Sequence, residues 1–472
     1  MNYVTDTIVA IATPQGEGGI ALIRISGNQA GEIATRIFKF SAPPKVLESH
    51  RIYHGRVVNP DTGEDIDEAL LLYFAHGKSY TGEETAEITC HGGPLVARRA
   101  LESAISAGAR PAGPGEFSRR AYLNGRIDLS QAEAVADLIS ASSDRELKNA
   151  LQQLNGVMRE AVKRSTYKLN ALIAEVESRI DFTEEDDISA LPVERIRKDI
   201  EEILKEVREL SESYREGRVL REGYRVVIVG KPNVGKSSLL NRLLGADRAI
   251  VTDEPGTTRD IIEERVVLGG IPFILTDTAG LRVRDVQEKL ATPEKIGIQK
   301  TQIWLETMRA DPSGGLLLVM LDSSQELMEE DILVLQEVES ASHILVLNKS
   351  DLPQKLDTSA LPLPFREEKP IRISALKGTG LKDLIEAVKQ ERLSASCKVK
   401  SEGYVVTNAR HKFALDACAE SLENTLSMLE NHPLEIIALE LRLAREALDE
   451  ISGKAIPDDI LDIIFSRFCI GK

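Results

Sequence analysis

Residues Gly230 to Ser237 read Gly-Lys-Pro-Asn-Val-Gly-Lys-Ser, a phosphate-binding loop pattern that directly follows the apolar run 225–229. Gly230 and Gly235 allow the backbone to curl so that successive N–H groups face phosphate oxygens. Lys236 would place its ammonium group near the β- and γ-phosphates, and the Ser237 hydroxyl would bind Mg²⁺. The pattern therefore predicts a nucleoside triphosphate site between a strand and the N-terminus of a helix.

Three downstream motifs indicate which nucleotide binds. Asp277-Thr278-Ala279-Gly280 ends an apolar run, where a carboxylate can hold Mg²⁺ through water and the glycine N–H can approach the γ-phosphate. Asn348-Lys349-Ser350-Asp351 follows a second apolar run, and the Asp351 carboxylate can accept two hydrogen bonds from guanine, a donor pair that adenine lacks. Ser374-Ala375-Leu376 fits a loop whose backbone reads guanine O6. The order and spacing of these motifs predict a GTP site.

The segment that would position the attacking water departs from the Ras-like pattern. Leu281 stands where Ras-like enzymes carry a water-orienting glutamine. The segment 256–260 lies where a mobile switch would supply a second Mg²⁺ ligand, and Thr258 is our choice for that role. Arg259 fits either an internal arginine finger or, more commonly, a solvated or structural arginine. Something other than a glutamine must therefore orient the water.

The residues expected to contact GTP lie in the phosphate loop, the switch and the three downstream motifs. They are Asn233, Val234, Gly235, Lys236, Ser237 and Ser238, then Thr252, Asp253, Glu254, Pro255, Gly256, Thr257 and Thr258, then Asp277, Thr278, Ala279 and Gly280, and finally Asn348, Lys349, Ser350, Asp351, Ser374, Ala375 and Leu376. Lys236 is also expected to act in catalysis, because its charge lies where negative charge develops during phosphoryl transfer.

Length and charge limit the organisation of the chain. At 472 residues it is expected to form about two to four domains, and its formal net charge of -16 argues against a protein that coats nucleic acid generally. RNA contacts through a local basic patch remain compatible with that charge. The cysteines (Cys90, Cys397, Cys418 and Cys469) include no Cys-x-x-Cys pair, so no zinc site or disulfide framework is indicated. A cytoplasmic protein is expected, without a signal peptide or an apolar membrane span.

The sequence on the N-terminal side of the GTP motifs shows two kinds of pattern. Residues 1–118 contain short β-like runs at 7–12, 20–25, 69–74 and 86–89, which predict a compact α+β domain. Ser130-Gln131-Ala132-Glu133 is a capping-box signature that opens a helix, and helical patterning continues to about 218. Apolar residues at helical spacing predict the core of a bundle: Leu147, Leu151, Leu154, Met158, Val162, Leu169, Leu172, Val176 and Ile180.

Strands and helices alternate around the nucleotide motifs, which predicts a doubly wound α/β domain. Helical patterning then resumes, with the spacing of a buried face at Ile437, Leu441, Ala444, Leu448 and Ile451. Because neither helical block has strand patterning, we expect one helical domain with the GTP domain inserted between its halves. The expected boundaries are 1–118, 119–220, 221–388 and 389–472.

Motifs along essentially the whole chain resemble the MnmE (also called TrmE) family of tRNA-modification GTPases. The resemblance rests on Asp6–Ala10, Ile23–Gly27, Tyr80–Glu83, His91–Pro94, Arg110–Ser118, Ala121–Gly125, Asp128–Ala134 and Phe468–Lys472. A phosphate loop occurs in many unrelated proteins. The Cys-x-Gly-Lys of the last segment, joined to these N-terminal motifs, is far more specific.

The resemblance implies an N-terminal tetrahydrofolate-binding domain that also dimerises, an all-α helical domain and an inserted α/β P-loop GTPase domain. It implies that a homodimer, in a heterotetramer-type complex with the flavoprotein MnmG (GidA), adds a carboxymethylaminomethyl or aminomethyl group to the wobble uridine of certain tRNAs. Formyl- or methylene-tetrahydrofolate would supply the one-carbon unit. The folate-binding positions would be Arg24, Glu87, Arg126 and Lys472, with Arg126 standing where the family often has lysine.

The resemblance also implies that K⁺ replaces the missing arginine finger, neutralising charge near the β/γ bridge. Its ligands would be Asn233, Thr252, Glu254 and Thr257, while Ser237 and Thr258 would hold Mg²⁺. The alternative for Asn233 is a residue that only caps the loop.

The water-orienting residue of the family precedes a Lys-Ile-Gly-Ile sequence, which points to Glu294. The segment 283–293 is longer than the family pattern, so Glu288 is the alternative. Cys469 is expected either to take part in the modification chemistry or to be a structural cysteine.

Two other functions fit a GTP domain of this kind. A ribosome-assembly GTPase would carry an added basic RNA-binding module, such as a KH-type domain, and none is evident in the sequence. A purely regulatory GTPase would leave residues 1–118 and the Cys-x-Gly-Lys segment unexplained.

Overall fold

The computed structural model describes residues 6–181, 192–246, 263–268, 271–277, 315–395 and 403–472. They belong to two compact units. The first comprises Met1–Ala136, Gln153–Phe182 and Leu441–Lys472, and the second comprises Asp137–Gln152 and Thr183–Glu440. The expectations for Thr252–Thr258, Thr278–Gly280, Glu288 and Glu294 lie outside the described residues.

The first unit contains a seven-stranded sheet. Its strands are β1 (Ile8–Ile11), β2 (Ile20–Ser26), β3 (Phe38–Phe40), β4 (Arg51–Val58), β5 (Asp65–Phe74), β6 (Thr85–His91) and β7 (Arg110–Pro111). They lie in the order β3-β4-β5-β6-β2-β1-β7. All neighbouring pairs are antiparallel except β1 with β7. Helices α1 (Ala30–Ile37) and α2 (Pro94–Ser106) contribute to a core with the sheet, so the predicted α+β texture is confirmed.

The sequence patterns predicted β1, β2, β5 and β6 but missed β4, which contains Gly55, a residue type that local propensity disfavours in strands. In the structure this glycine permits close pairing with β3, since a Cβ there would lie 2.3 Å from the Lys39 carbonyl oxygen. The glycine is therefore required by a neighbouring strand, which local patterning cannot reveal.

Helix α4 (Leu129–Ser140) follows α3 (Glu116–Leu123) and begins earlier than predicted. Its capping residue is Asp128, whose carboxylate accepts the Gln131 N–H at 2.9 Å. The Gln131 side-chain oxygen in turn accepts the Asp128 N–H at 3.1 Å. Ser130 lies inside the first turn and donates its hydroxyl to Asp128 at 2.8 Å. The capping box predicted at Ser130 is therefore wrong by two residues, although the helix is confirmed.

The predicted apolar stripe is only partly buried on α5 (Asp144–Leu154) and α6 (Val157–Asp181). On α6, Met158, Val162, Leu169, Leu172 and Val176 are buried as predicted. Leu147 and Leu151 on α5 are 42% and 41% exposed, so their assignment to the core is wrong. Asn149 is buried instead, because its side chain donates to the Val405 carbonyl at 3.1 Å and accepts the Val405 N–H at 2.9 Å.

The second unit contains a six-stranded sheet in the order β13-β12-β11-β8-β10-β9. Its strands are β8 (Tyr224–Val229), β9 (Glu263–Leu268), β10 (Ile271–Asp277), β11 (Gly315–Asp322), β12 (His343–Asn348) and β13 (Ile371–Arg372). All neighbours are parallel except β9 with β10. With α8 (Lys236–Ala246), α9 (Glu329–Val338) and α10 (Leu381–Ala395), two apolar clusters form around the sheet, as a doubly wound domain requires.

Two helices of the second unit flank the α/β part in sequence and pack against each other. They are α7 (Val193–Glu222) and α11 (Ala409–Met428). Arg208 forms an ion pair with Glu423, and the Ser211 hydroxyl donates to Asp416 at 2.5 Å. This packing is what an inserted GTP domain would produce. The boundaries at 118, 220 and 388 stay predictions.

Two further helices are α12 (Leu434–Ser452) and α13 (Asp458–Ser466). The five positions predicted as the buried face of α12 are all buried: Ile437, Leu441, Ala444, Leu448 and Ile451. Across the described ranges, no helix has both the length and the apolar composition of a membrane span.

Candidate functional sites

The phosphate loop joins β8 to α8 and has the backbone conformation that its pattern predicts. Gly230 and Gly235 have φ values of 152° and 106°. A Cβ at Gly230 would lie 2.5 Å from the Met320 carbonyl oxygen, and one at Gly235 would lie 2.3 Å from the Asn348 side-chain nitrogen. Asn233 is exposed with φ 62°, a left-handed conformation that asparagine adopts more readily than most residues. Close approach to β11 and β12 thus fixes the loop.

Lys236 is buried at the start of α8, and its ammonium group bonds to the loop itself. It donates to the carbonyl oxygens of Gly230 at 2.8 Å and Lys231 at 2.9 Å. Ser237, in the next position, is exposed in the first turn of α8. At this position a serine hydroxyl can bind Mg²⁺, while the loop N–H groups can bind the phosphates.

A buried ion pair, which the sequence analysis did not predict, links the phosphate loop to α9. Lys231 Nζ lies 2.8 Å from Asp331 Oδ2, and the two side chains are 7% and 3% exposed. Asp331 stands in the first turn of α9, where it also accepts the Met328 N–H at 3.1 Å. No local pattern links two residues so far apart in sequence, so only the fold reveals the pair.

Asn348, at the end of β12, joins the phosphate loop to the loop predicted to read guanine. Its side-chain nitrogen donates to the Val234 carbonyl at 2.8 Å, and its oxygen accepts the Ala375 N–H at 3.0 Å. Arg242 of α8 donates to the carbonyl oxygens of Ala375, at 3.2 Å, and Leu376. The structure therefore brings three separately predicted motifs together.

Asp351 lies beside the same loop, and its surroundings favour the ionised form of its carboxylate. A hydrogen bond from the Ser374 side chain is the largest cause that lowers the pKa of Asp351 below its ordinary 3.8, and the charge of Lys377 acts in the same direction. Lys377 Nζ lies 3.9 Å from the Asp351 carboxylate. An ionised carboxylate is the form that accepts two N–H donors from guanine.

Lys349 pairs with a carboxylate that the sequence analysis did not identify. Its Nζ lies 2.6 Å from Asp322 at the end of β11. Burial would raise the pKa of Asp322, but hydrogen bonds from Lys349 and Ser324 lower it overall. This pair fixes the motif that follows β12, because β11 and β12 are adjacent and parallel.

Asp277 ends β10 opposite Ile228 of β8, so its backbone lies beside the start of the phosphate loop. That strand-end position suits a residue predicted to act on Mg²⁺.

A second cluster lies in the first unit, where β2, β6 and the Cys-x-Gly-Lys segment meet. Arg24 and Glu87 are direct cross-strand neighbours, and Arg24 Nε donates to Glu87 Oε1 at 2.8 Å. The guanidinium carbon lies 6.0 Å from the Tyr80 ring centre and 5.7 Å from that of Phe117. Arg24 also donates to the Gly471 carbonyl at 3.2 Å. Arg24 is thus a partly buried cation close to two aromatic rings.

The Cys-x-Gly-Lys segment is held by backbone contacts. The Gly115 N–H donates to the Cys469 carbonyl at 3.4 Å, and the Phe117 N–H donates to the Lys472 carbonyl at 3.2 Å. Gly471 has φ 96°, and a Cβ there would lie 2.6 Å from the Ile11 carbonyl oxygen. A glycine is therefore needed for the segment to lie against β1.

Lys472 lies close enough to the other charged groups to interact with them. Burial, and then the positive charge of Arg24, lower the pKa of Lys472, while Cys469 and Glu87 act in the opposite direction. Cys469 is exposed, in contrast to the buried Cys90 and Cys418. Two cations beside one carboxylate can bind a ligand that has both carboxylates and N–H donors. Reduced folates have both, so the donor set fits the group that the family resemblance implies.

Arg126, the fourth predicted folate residue, lies beside this cluster's supporting loop rather than in the Arg24–Glu87 pair. A Cβ on Gly82 would lie 3.1 Å from Arg126 Cγ, so the aliphatic part of the Arg126 side chain packs against Gly82. The same loop carries Tyr80, and Arg126 itself is exposed.

Arg120 is a residue that the sequence analysis missed. It is buried, and its guanidinium lies 2.7 Å from Asp6, 3.2 Å from Glu83 and 3.0 Å from Glu116. The four-residue spacing of Glu116 and Arg120 on α3 was the available signal. The network ties the Tyr80–Glu83 loop to α3 and so supports the aromatic surroundings of Arg24.

Comparison with known proteins shows which family the chain matches. Residues 7–126 match the family described as GTP-binding protein TrmE N-terminus, and residues 129–469 match the MnmE helical domain. The chain is 42% identical over 474 residues to the tRNA modification GTPase MnmE of Alkaliphilus oremlandii and 41% identical over 473 residues to that of Clostridioides difficile. It is 40% identical over 471 residues to the protein of the same name from Acetivibrio thermocellus. Each alignment covers 100% of both chains.

Proposed function

This chain belongs to the MnmE (TrmE) family of tRNA modification GTPases, and we propose that it couples GTP hydrolysis to modification of the wobble uridine of certain tRNAs. The product would carry a carboxymethylaminomethyl or aminomethyl group. The proposal is supported by two features of one chain: Asn348 joins the phosphate loop to the loop predicted to read guanine, and Arg24 bonds separately to Glu87 and to the Cys-x-Gly-Lys segment.

At the nucleotide site, Lys236 would leave its loop carbonyls for the phosphates, and Asp351 would bind guanine. Mg²⁺ held by Ser237 and Thr258, and K⁺ held by Asn233, Thr252, Glu254 and Thr257, would neutralise phosphate charge when bound. Glu294 would orient the attacking water, with Glu288 as the alternative. The exposure of Asn233 supports the K⁺ assignment, because a cation in solution can reach its side-chain oxygen.

In the first unit, Arg24 and Lys472 would bind carboxylates of a formyl- or methylene-tetrahydrofolate, Glu87 would accept N–H donors, and Arg126 would border the site. The folate supplies the one-carbon unit when bound. Cys469 is exposed next to Lys472, which is compatible with a part in the chemistry.

The remaining parts of the proposal concern assembly. We propose a cytoplasmic homodimer held by residues 1–118, acting with the flavoprotein MnmG (GidA) on tRNA. Dimerisation would raise the effective concentration of the two GTPase domains and let them meet during hydrolysis.

Mass spectrometry of wobble uridines tests the function directly. Cells that lack the protein should lose the modified nucleoside, and the unaltered chain should restore it, whereas Asp351→Asn and Lys472→Met variants should not. A normal modification level in the deletion strain would contradict the proposal.

Hydrolysis in different salts tests the nucleotide chemistry. GTP turnover should be much faster in K⁺ than in Na⁺, and Asn233→Ala should remove most of the difference while keeping guanine binding. Equal rates of the unaltered chain in the two salts would refute the K⁺ assignment.

A further inference from the structure

The N-terminal half of α6 is cationic in a chain whose net charge is -16. Residues 157–168 contain four basic side chains and one acidic one, whereas residues 169–181 contain one basic and three acidic ones. The positive charge is therefore concentrated at one end of a single helix. We call Arg159, Lys163, Arg164, Tyr167 and Lys168 the basic strip.

The buried side of α6 determines which residues face solvent. Met158, Val162 and Leu169 are buried. Arg159, Lys163 and Tyr167 are exposed, and their spacing of four residues places them in a row with about 6 Å between neighbours along the helix axis. Tyr167 is 78% exposed, so its ring is available to a partner.

The charge at the start of the strip is not neutralised by its hydrogen bond. Arg159 donates to the neutral side-chain oxygen of Gln131 at 3.3 Å. Lys163 is an exposed ammonium in the middle of the row. A cationic row with an exposed aromatic ring is the combination that binds nucleic-acid backbones, through phosphate contacts and stacking.

The strip is continuous with the elements that support the Cys-x-Gly-Lys segment, all within the first unit. Gln131 bonds to Arg159 and also donates to the Leu154 carbonyl at 2.8 Å. Its neighbours Leu129 and Ala132 pack in one apolar cluster with Phe468, which directly precedes Cys469. A polyanion on the strip would therefore lie on the helices that carry the candidate modification site.

We propose that the basic strip binds the sugar-phosphate backbone of the tRNA substrate, with Tyr167 stacking on an unpaired base. The inference rests on the proposed function, because that function requires an RNA substrate. A local cationic row is how an acidic protein can attract RNA, since phosphate contacts supply most of the sequence-independent affinity.

The test is binding of the full chain, with and without its flavoprotein partner, to an unmodified tRNA transcript with a wobble uridine. Fluorescence anisotropy would be measured over a range of KCl concentrations. The Arg159→Gln/Lys163→Gln variant should raise Kd about tenfold and reduce the salt slope by about 1.5 to 2, as two lost phosphate contacts require. Tyr167→Ala should weaken binding severalfold with an unchanged slope, and Tyr167→Phe should bind normally.

The control variant is Lys45→Gln/Arg98→Gln, which removes the same charge from exposed positions of the first unit. It should bind tRNA like the unaltered chain, and all variants should keep the same unfolding temperature and tRNA-free GTP turnover. If the strip variant and the control have the same Kd and salt slope, the strip does not bind tRNA, and the proposed function is unaffected. If the strip variant loses flavoprotein binding but not tRNA binding, the strip binds the flavoprotein and the tRNA proposal is wrong. If the unaltered chain binds no tRNA in either condition, the strip and the proposed function both fail.

Discussion

The two candidate sites are built in opposite ways. In the second unit, the nucleotide site is a set of short contiguous motifs at the carboxyl ends of parallel strands, tied together by Asn348. In the first unit, Arg24 and Glu87 pair across antiparallel strands, and Arg24 bonds to Gly471, which lies 447 residues further along the chain. The nucleotide site thus depends on local loop geometry, and the other site depends on the docking of a distant segment. The two should be separable by mutation.

The largest effect is expected from the buried pair behind the phosphate loop. Asp331→Ala leaves the Lys231 ammonium buried without its partner, which should lower the free energy of unfolding of the GTP-binding part by about 3–5 kcal/mol. Urea denaturation followed together with GTP binding would measure this. Replacing both residues, as Lys231→Met/Asp331→Leu, should recover most of the stability. A single variant as stable as the unaltered chain would show that the pair does not hold the loop.

The second effect is the loss of guanine recognition in the Asp351→Asn variant. Asp351→Asn removes the carboxylate that we propose accepts two guanine N–H groups, so GTP affinity should fall by roughly a hundredfold. Xanthine nucleotides, whose C2 oxygen suits an amide donor, should bind better than GTP. Competition titrations would measure the preference, and folate binding should be unaltered. An unchanged preference for guanine would remove Asp351 from base recognition.

The contrast explains what could be predicted from the sequence. Gly230, Lys236 and Asp351 lie in motifs whose spacing is itself the signal, so a candidate nucleotide site could be predicted before the fold was known. The Lys231–Asp331 pair was not, because its members share no local pattern. Strand β4 was missed for the same reason: Gly55 is required by a strand that is a neighbour in space, not in sequence.

The first-unit cluster was predicted only through family resemblance. An arginine on a strand is usually solvated, and neither Arg24 nor Lys472 has a local pattern that marks a site. Helix starts show a related limit, since Asp128 and Ser130 both satisfy the capping rule and the reciprocal bonds with Gln131 select the former.

The Cys-x-Gly-Lys segment offers the next test. Gly471→Ala would place a Cβ against the Ile11 carbonyl at a left-handed φ, a strain of about 1–3 kcal/mol that opposes docking. Binding of 5-formyltetrahydrofolate should weaken by about five- to 150-fold, while GTP binding stays unchanged. Ile470→Ala, at a neighbouring side chain that is 60% exposed, is the matched control and should bind folate normally. Equal folate affinities for the two variants would contradict this account.

The smallest effect concerns pH. Burial and Arg24 lower the pKa of Lys472 below its ordinary 10.5, so the folded chain releases this proton earlier than the unfolded chain. Between the two values the unfolded state binds more protons, and the contribution of Lys472 to stability therefore rises with pH. Affinity for an anionic folate should fall over the same window, because the cation is lost. Lys472→Arg should abolish the fall, and calorimetric titration at several alkaline pH values would measure it.

A variant that ends at Phe468 tests the contrast between the two sites most directly. It keeps the buried Phe468 and removes the Cys-x-Gly-Lys residues that bond to Arg24, Gly115 and Phe117. Parallel titrations with 5-formyltetrahydrofolate and GTP should show loss of folate binding and unchanged GTP binding. Folate binding as tight as that of the full chain would contradict a site completed by this segment.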